Sequence, residues 1–449
     1  MDVIILSTAE LGDRSYIVHD GVDAFVVDPQ RDISRVLSAA ELAGVKIRGV
    51  AETHIHNDYV TGGYELAKTL EVPYLVNADD EVNFERVPVS DGFEFAAGSL
   101  TITVIATPGH TPTHLSYLAT DAEGQSAIFT GGSLLYGSVG RPDLLGPDWT
   151  DFLARSQFRS VHKLADTLAD AVEVQPTHGF GSFCSSSSGE AGSASTIGSE
   201  KKSNFALLLD DEDKFKEVLL GGLDAYPAYY AFMGPANLAG PKAYFDATPP
   251  RLSLDELLNH IEKGSFVADT RSAEDYAAAH FALTHAIPLG SSFSTYLGWI
   301  LPWNNDVVLV TASEQDAREA TRQLARIGVE SVVGYYPAAA GAADIADPQS
   351  MRVKNFAALE KVLNDPGVTV LDVRRNDERR VSRIEGSVHI PIHELPKRLS
   401  ELEPYRGQEL WVHCAGGYRA TLASSILANA NYNVVCVNDN YAEYVAAHA

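Results

Sequence analysis

The C-terminal half of this chain is written twice, and that repeat limits its fold more than any other feature. V-A-D-T-R at 267–271 returns as V-L-D-V-R at 370–374, 103 positions later. A-I-P-L at 286–289 returns as H-I-P-I at 389–392 with the same offset. V-V-L-V-T and the helical pattern behind it, 307–328, return as E-L-W-V-H and its own helical pattern, 409–430, 102 positions later. Copies of about 100 residues are small domains rather than solenoid turns. Each alternates β-branched runs with helical stretches, so each is expected to be an α/β domain with a parallel sheet. They occupy residues 246–340 and 350–449, with the alanine-rich stretch 338–348 as linker.

The copies differ where chemistry would sit. Cys414 lies in W-V-H-C-A-G-G-Y-R-A-T, between a strand ending near His413 and a helix starting near Ala420. The loop Cys414, Ala415, Gly416, Gly417, Tyr418, Arg419 is short, and its glycines let backbone N–H groups turn toward one point. The helix N-terminus and Arg419 add positive potential, which favours a thiolate. Cys414 is therefore the expected nucleophile, with Arg419 assisting and residues 415–418 supplying backbone contacts. In the first copy Ala312 aligns with Cys414, and Glu314, Gln315 and Ala317 align with Gly416, Gly417 and Arg419. Residues 246–340 thus read as an inactive copy. Cys436, in N-V-V-C-V, reads as a buried structural cysteine.

Residues 1–245 follow a different plan, with short apolar runs, turn signals and helical patterns that imply a layered α/β domain. The strand-like run 45–50 leads into T-H-I-H-N-D-Y. An extended backbone would turn His54 and His56 the same way, with Asp58 continuing that face. Imidazole nitrogens and carboxylate oxygens are the usual ligands of a divalent metal. His110 in P-G-H-T, Gly131 and Gly132 after S-A-I-F-T, and His178 in P-T-H-G-F-G-S-F-C also follow apolar runs, where sites are commonly built. Three histidines with an open fourth position suit a zinc hydrolase. Cys184, six residues after His178, reads either as a carrier of persulfide sulfur or as an ordinary partly buried cysteine. The Ser/Gly/Ala run 185–199 reads as a loop, either a mobile lid or plainly solvated.

Composition narrows the function. A net charge of -26 and a pI of about 4.8, without a basic block, exclude nucleic acid and anionic membrane as expected partners. No apolar run approaches the ~20 residues that span a bilayer, and M-D-V-I-I-L-S is not expected to be a signal peptide. Three cysteines do not make a disulfide framework, so a reducing cytoplasm is expected.

T-H-I-H-N-D, P-G-H-T and T-G-G-S-L-L-Y-G-S-V-G-R-P-D, in that order, resemble the metallo-β-lactamase superfamily. Residues 1 to about 240 most resemble its persulfide dioxygenases, which lie beside glyoxalase II. The two C-terminal copies resemble rhodanese sulfurtransferase domains, and C-A-G-G-Y-R is similar to the active loop of bacterial dioxygenase–rhodanese fusions. The resemblance implies an αββα sandwich followed by two rhodanese-like domains. It implies oxidation of a low-molecular-weight thiol persulfide by O2, with sulfane sulfur carried as a Cys414 persulfide in a homo-oligomer. His54, His56 and His110 match the first metal site, for one Fe(II) or alternatively Zn(II). Asp58 and His178 match a second site, and Arg141 and Asp143 a structural turn. Two positions depart from the family pattern: Tyr59 stands for a histidine, and Gly132 for the aspartate that supplies the iron's carboxylate. Tyr59 either contacts a bound ligand or fills the missing ring's space. The alternatives are therefore a zinc-dependent thioester hydrolase of glyoxalase II type, or a catalytically weak metal domain beside an active rhodanese.

Overall fold

Side-chain alternation builds the first layers. Along strand Asp13–His19, Tyr16 and Val18 join one core while Ile17 joins another, and along Asp23–Val27, Phe25 and Val27 separate from Ala24 and Val26 in the same way. A strand with both faces buried needs a layer on each side. Here one side is a second sheet and the other is helices Ser34–Ala43 and Gly63–Leu70.

The computed structural model describes residues 1–186, 194–338 and 347–447. It divides into two units, Met1–Phe245 with Ala325–Gly328, and Asp246–Leu324 with Val329–Ala449. In the first unit two six-stranded sheets pack face to face. One runs from strand Asp2–Thr8 to Val87–Val89, and the other joins Ser195–Thr196, Glu173–Pro176, Ser126–Gly131, Leu115–Thr120, Leu100–Ala106 and Glu94–Ala97 in spatial order. Tyr16, Phe25, Ile102, Tyr117 and Phe129 fill the space between them. Helix Pro147–Thr167 and the helices after it cover the outer face of the second sheet through Val161, Leu164 and Phe215. This is the expected αββα order. The loop expected over 185–199 is shorter. Residues 187–193 lie outside the described residues, but Ser195–Thr196 pairs with Glu173 and Val174, and Thr196 caps helix Ile197–Ser203. Its polar composition reflects a strand end and a cap.

The second unit carries the repeat into three dimensions. Strands His285–Ala286, Phe266–Asp269, Val307–Thr311 and Val332–Pro337 form one parallel sheet. Val388–His389, Val368–Asp372, Glu409–His413 and Asn433–Val437 form another in the matching order, extended by Arg352–Lys354. Both sheets sit in one unit, and most of the expected linker, 339–346, lies outside the described residues. A buried ion pair repeats too. Arg271 Nη2 donates to Asp269 Oδ2 at 2.6 Å and to the Ala279 carbonyl at 2.9 Å. Arg374 Nη2 donates to Asp372 Oδ2 at 2.7 Å and to the Ser382 carbonyl at 2.8 Å. The pair ties the first strand's end to the following helix's end in each copy.

Asp372 has a second partner, Arg379, at 3.0 Å. Burial works against its charge, but the Arg374 guanidinium and its neighbours hold its carboxyl at about 2. A depressed carboxyl stabilises the fold above its unfolded pKa, and that stabilisation is lost as pH falls toward 2. Asp372→Asn is expected to cost the second unit roughly 3 kcal/mol, because the buried Arg374 guanidinium and the half-buried Arg379 lose their counter-charge. It is also expected to flatten the fall in stability below pH ~4, both read by urea denaturation across pH.

Candidate metal centre and thiol site

Three loops at one edge of the sandwich bring the N-terminal candidates together. They follow strands Lys46–Ala51, Leu100–Ala106 and Glu173–Pro176. The extended backbone expected through His56 stops at Ala51, because the chain turns there onto Asp28. Thr53 N and Oγ1 both donate to the Asp28 carboxylate at 2.7 Å. The Thr177 hydroxyl donates to the same carboxylate. The rings of His54 and His56 still meet, with centroids 4.0 Å apart, and His110 and His178 lie 4.8 and 5.4 Å from His54. All four are buried.

Each ring is held from behind. His54 Nδ1 lies 2.9 Å from Thr53 Oγ1, whose own proton goes to Asp28, so the ring is the donor. His110 Nδ1 donates to the Arg141 carbonyl at 2.8 Å, and Arg141 is fixed by a two-pronged pair with Asp143 at 2.7 and 2.8 Å. His178 Nδ1 donates to Asp13 Oδ1 at 2.8 Å. His56 turns Nε2 toward Glu52 Oε2 at 3.2 Å, Asp28 Oδ1 at 3.3 Å and Tyr59 Oη at 2.9 Å. Burial and neighbouring imidazoles push His54 and His110 well below the usual histidine range, and burial lowers His178. Burial opposes the charge on His56 as well, but the Asp28 and Glu52 carboxylates lift it to about 10.

The donor set fits a divalent metal. His56 Nδ1 and His110 Nε2 have no hydrogen-bond partner among the described residues although both rings are buried. Ligand atoms of His54, His56 and His178 lie within 4.8 Å of one another, as do those of His110, His178 and Cys184, and those of Asp13, Asp58 and His178. The expected division into a His54–His56–His110 site and an Asp58–His178 remnant is therefore not how the residues cluster. Asp58 meets His178 at Nδ1, 3.3 Å away, where Asp13 also binds. Tyr59 is fully buried and contacts His56 from the side of the carboxylates. At Gly132 a Cβ atom would stand 2.2 Å from His110 Cδ2, so the ring fills the space that a side chain there would need. Cys184 is fully buried, 3.8 Å from the Tyr230 hydroxyl, and burial holds its thiol well above the usual range. Asp13, Asp28, Glu52 and Tyr230 are the members that the sequence reading missed. The signal for Asp28 was a carboxylate closing the apolar run A-F-V-V at 24–27.

In the second unit the Cys414 loop has the expected form. Gly417 N donates to Cys414 Sγ at 3.1 Å, at the start of helix Tyr418–Asn429. Gly417 has φ +93°, and a Cβ there would stand 1.7 Å from Asn438 Oδ1, so the loop requires glycine. Ala415 and Gly416 are exposed. Arg419 acts electrostatically on Cys414, but its guanidinium also binds Glu378 at 2.7 Å. The counter-charge offsets the full charge expected of it. Residues of the cysteine-less copy complete the wall. Tyr418 Oη donates to the Pro288 carbonyl at 3.0 Å, Tyr296 packs 5.6 Å from Tyr418, and Trp299 stacks on His393 at 4.6 Å.

Known proteins resemble both units. The metallo-beta-lactamase superfamily matches residues 12–177, and the rhodanese-like domain matches residues 355–447. The chain is 27% identical over 235 residues to persulfide dioxygenase ETHE1, mitochondrial, of Homo sapiens, covering 51% of this chain and 81% of that protein. It is 34% identical over 125 residues to hydroxyacylglutathione hydrolase of Hahella chejuensis, covering 28% of this chain and 48% of that protein. The chain thus spans about half the length of that hydrolase. A crystal structure of a metallo-beta-lactamase from Staphylococcus aureus subsp. aureus COL aligns with TM-score 0.67 and 27% identity, over 78% of this chain and 99% of that one. Residues 12–177 are accordingly a metallo-beta-lactamase superfamily domain, and residues 355–447 a rhodanese-like domain. No described helix is long and apolar enough to cross a membrane.

Introducing the family's carboxylate at 132 is expected to harm the site. Gly132→Asp drives a side chain into His110, so metal content after reconstitution should fall below that of the parent chain. A higher content would contradict the packing described.

Proposed function

We propose that this chain pairs oxidation of a low-molecular-weight thiol persulfide by O2, at a metal held by the buried histidines, with sulfane-sulfur transfer at Cys414. One observation carries the reading: a single chain joins a metal-ready imidazole cluster to a cysteine whose sulfur accepts a loop N–H. The likeness to a persulfide dioxygenase over most of that protein's length supports the first half, and the rhodanese-like domain supports the second.

In the N-terminal domain His54, His56 and His178, whose ligand atoms lie together, would hold the ion, with His110 beside His178. Fe(II), when bound, supplies the O2 chemistry. The chain's own groups prepare the place. Thr53, Arg141 and Glu52 hold the ring protons of His54, His110 and His56 away from the cluster, and burial keeps bulk water out. Cys184, beside His110 and His178, would serve as a stopping point for persulfide sulfur entering or leaving the pocket.

At Cys414 the thiol gives up its proton, and the sulfur attacks the outer sulfur of a sulfane donor. A new S–S bond forms to Cys414 as the donor's S–S bond breaks, and the donor's remainder leaves with the electron pair. Gly417 N–H and the helix N-terminus stabilise the anionic sulfur. Residues 246–340 are a rhodanese-like copy without the nucleophile, serving as the wall that positions Tyr418.

A second reading has its own observation. No carboxylate side chain is available at Gly132, and an imidazole donor set suits zinc-bound hydroxide. The N-terminal domain would then hydrolyse a thioester, in keeping with its similarity to hydroxyacylglutathione hydrolase.

The Fe(II)-reconstituted chain is expected to consume O2 with glutathione persulfide, and Cys414→Ser to keep that uptake while losing thiosulfate:cyanide transfer. No uptake with iron, together with thioester hydrolysis by the zinc form, would favour the second reading. Full transfer by Cys414→Ser would remove the rhodanese assignment.

A further inference from the structure

The cysteine-less copy gives the surroundings of Cys414 two aromatic rings that the repeat does not require. At the offset of 103, helix Phe293–Ile300 places Tyr296 and Trp299 where the other copy has Leu399 and Leu402. Leucine serves the same positions there, so the rings answer to something besides the fold. Tyr296 lies against Tyr418, with ring centroids 5.6 Å apart, and stacks on Trp299 at 6.0 Å. Tyr418 is itself pinned to the Pro288 carbonyl. The Tyr296 phenol is within electrostatic reach of Arg419, Arg375, Cys414 and Glu378, and burial raises it above the usual phenol range, so it is neutral. Cys414 is buried while Ala415 and Gly416 are exposed, so a donor reaches the sulfur across the loop and past this wall.

The charges beside the wall cancel. Both terminal nitrogens of Arg419 donate to Glu378, a two-pronged pair. Glu378 Oε2 also accepts the Arg375 N–H at 3.0 Å, and the Arg375 guanidinium pairs with Asp377 at 2.8 Å. In the cysteine-less copy Asp275 stands at the position of Glu378 and closes its helix start with Ser272, and Ala317 stands at that of Arg419. The carboxylate–guanidinium pair thus belongs to the Cys414 copy. Thiosulfate is a small dianion and needs net positive charge at the loop. A thiol persulfide brings less charge to the reacting sulfur and a carbon chain beside it, which suits a charge-balanced pocket with an aromatic wall.

We propose that Tyr296 is a specificity-determining residue for sulfur transfer: its ring, with that of Tyr418, holds the organic carrier of a thiol persulfide over the Cys414 loop, and the Glu378–Arg419 pair denies thiosulfate the charge it needs. This rests on the transfer reaction proposed for Cys414 and names its donor. The Cys414 sulfur attacks the outer sulfur of the persulfide, the new S–S bond forms as the old one breaks, and the carrier leaves with the electron pair and takes up the Cys414 proton.

The test is anaerobic sulfur transfer to cyanide by the chelator-stripped full chain, with glutathione persulfide and with thiosulfate as donors and Cys414→Ser as the blank. The parent chain is expected to favour the persulfide in kcat/KM. Tyr296→Ala should lower the persulfide-to-thiosulfate ratio of kcat/KM at least ~10-fold, mainly through the KM for persulfide. Tyr296→Phe, which keeps the ring, should retain the preference. Glu378→Gln should raise kcat/KM for thiosulfate, because Arg419 regains its net charge. Thermal melting shows whether each variant is folded, and Tyr296→Leu, the side chain of the other copy, is the second variant if Tyr296→Ala unfolds. A ratio unmoved in the folded Ala or Leu variant, a preference lost in Tyr296→Phe, thiosulfate kinetics unmoved by Glu378→Gln, or a parent that favours thiosulfate would each overturn the proposal and leave transfer at Cys414 intact. A parent that moves no sulfur from either donor would remove the transfer reading itself, and this proposal with it.

Discussion

The N-terminal site depends on a single buried carboxylate. Asp28 ends a strand of one sheet and receives Thr53 from the histidine loop and Thr177 from the loop of the other sheet. It also lies 3.3 Å from His56. A buried carboxylate is tolerated only when several donors answer its charge. Burial opposes that charge, but His56 and the threonines hold the Asp28 carboxyl at about 2. The loops that carry His54, His56 and His178 are thus fixed by the electrostatic needs of one residue. A small side chain at Thr53 or Thr177 without a hydroxyl would leave Asp28 partly unanswered and loosen both loops together.

Around that anchor the other acids share a pattern. Glu52 stands behind His56, and Asp13 and Asp58 stand behind His178. Burial lifts Asp13 to about 8, and burial with the neighbouring Asp13 lifts Asp58 to about 7. The carboxyls stand one layer back from the imidazoles, and of them Asp28 is the one held firmly as the anion. An ion entering the centre meets imidazole first, with the rings of His54, His110 and His178 held neutral by burial. A carboxylate ligand in the family's place would put charge in direct contact with the ion, and the His110 ring occupies that space.

Much of this was legible in the sequence, for reasons that differ by residue. The repeat at an offset of 102 or 103 foretold two parallel sheets because strand and helix periods were copied with it. Cys414 and Gly417 were legible because a strand, two glycines and a helix leave the sulfur few other surroundings. The grouping of the histidines was not. Which nitrogen of a ring faces a metal depends on what stands behind it, and those partners lie far off in sequence, as Asp13 does from His178. Arg419 was read as a free charge because Glu378, 41 positions away, gives no local sign of meeting it. The strand and helix at 195–203 were hidden by a composition that suits loops and caps equally.

The cysteine-less copy keeps the buried Asp–Arg pair and the strand order of its partner while losing the nucleophile. Its Pro288, Tyr296 and Trp299 face the Cys414 copy, so retention of the fold has a physical use in shaping the surroundings of Cys414. The central claim concerns the other unit: a metal held by the buried imidazoles. X-ray absorption of the metal-loaded chain tests it most directly. Nitrogen neighbours at ~2.0–2.2 Å, with the scattering of intact imidazole rings, are the expected result. A shell without imidazole scattering would contradict it.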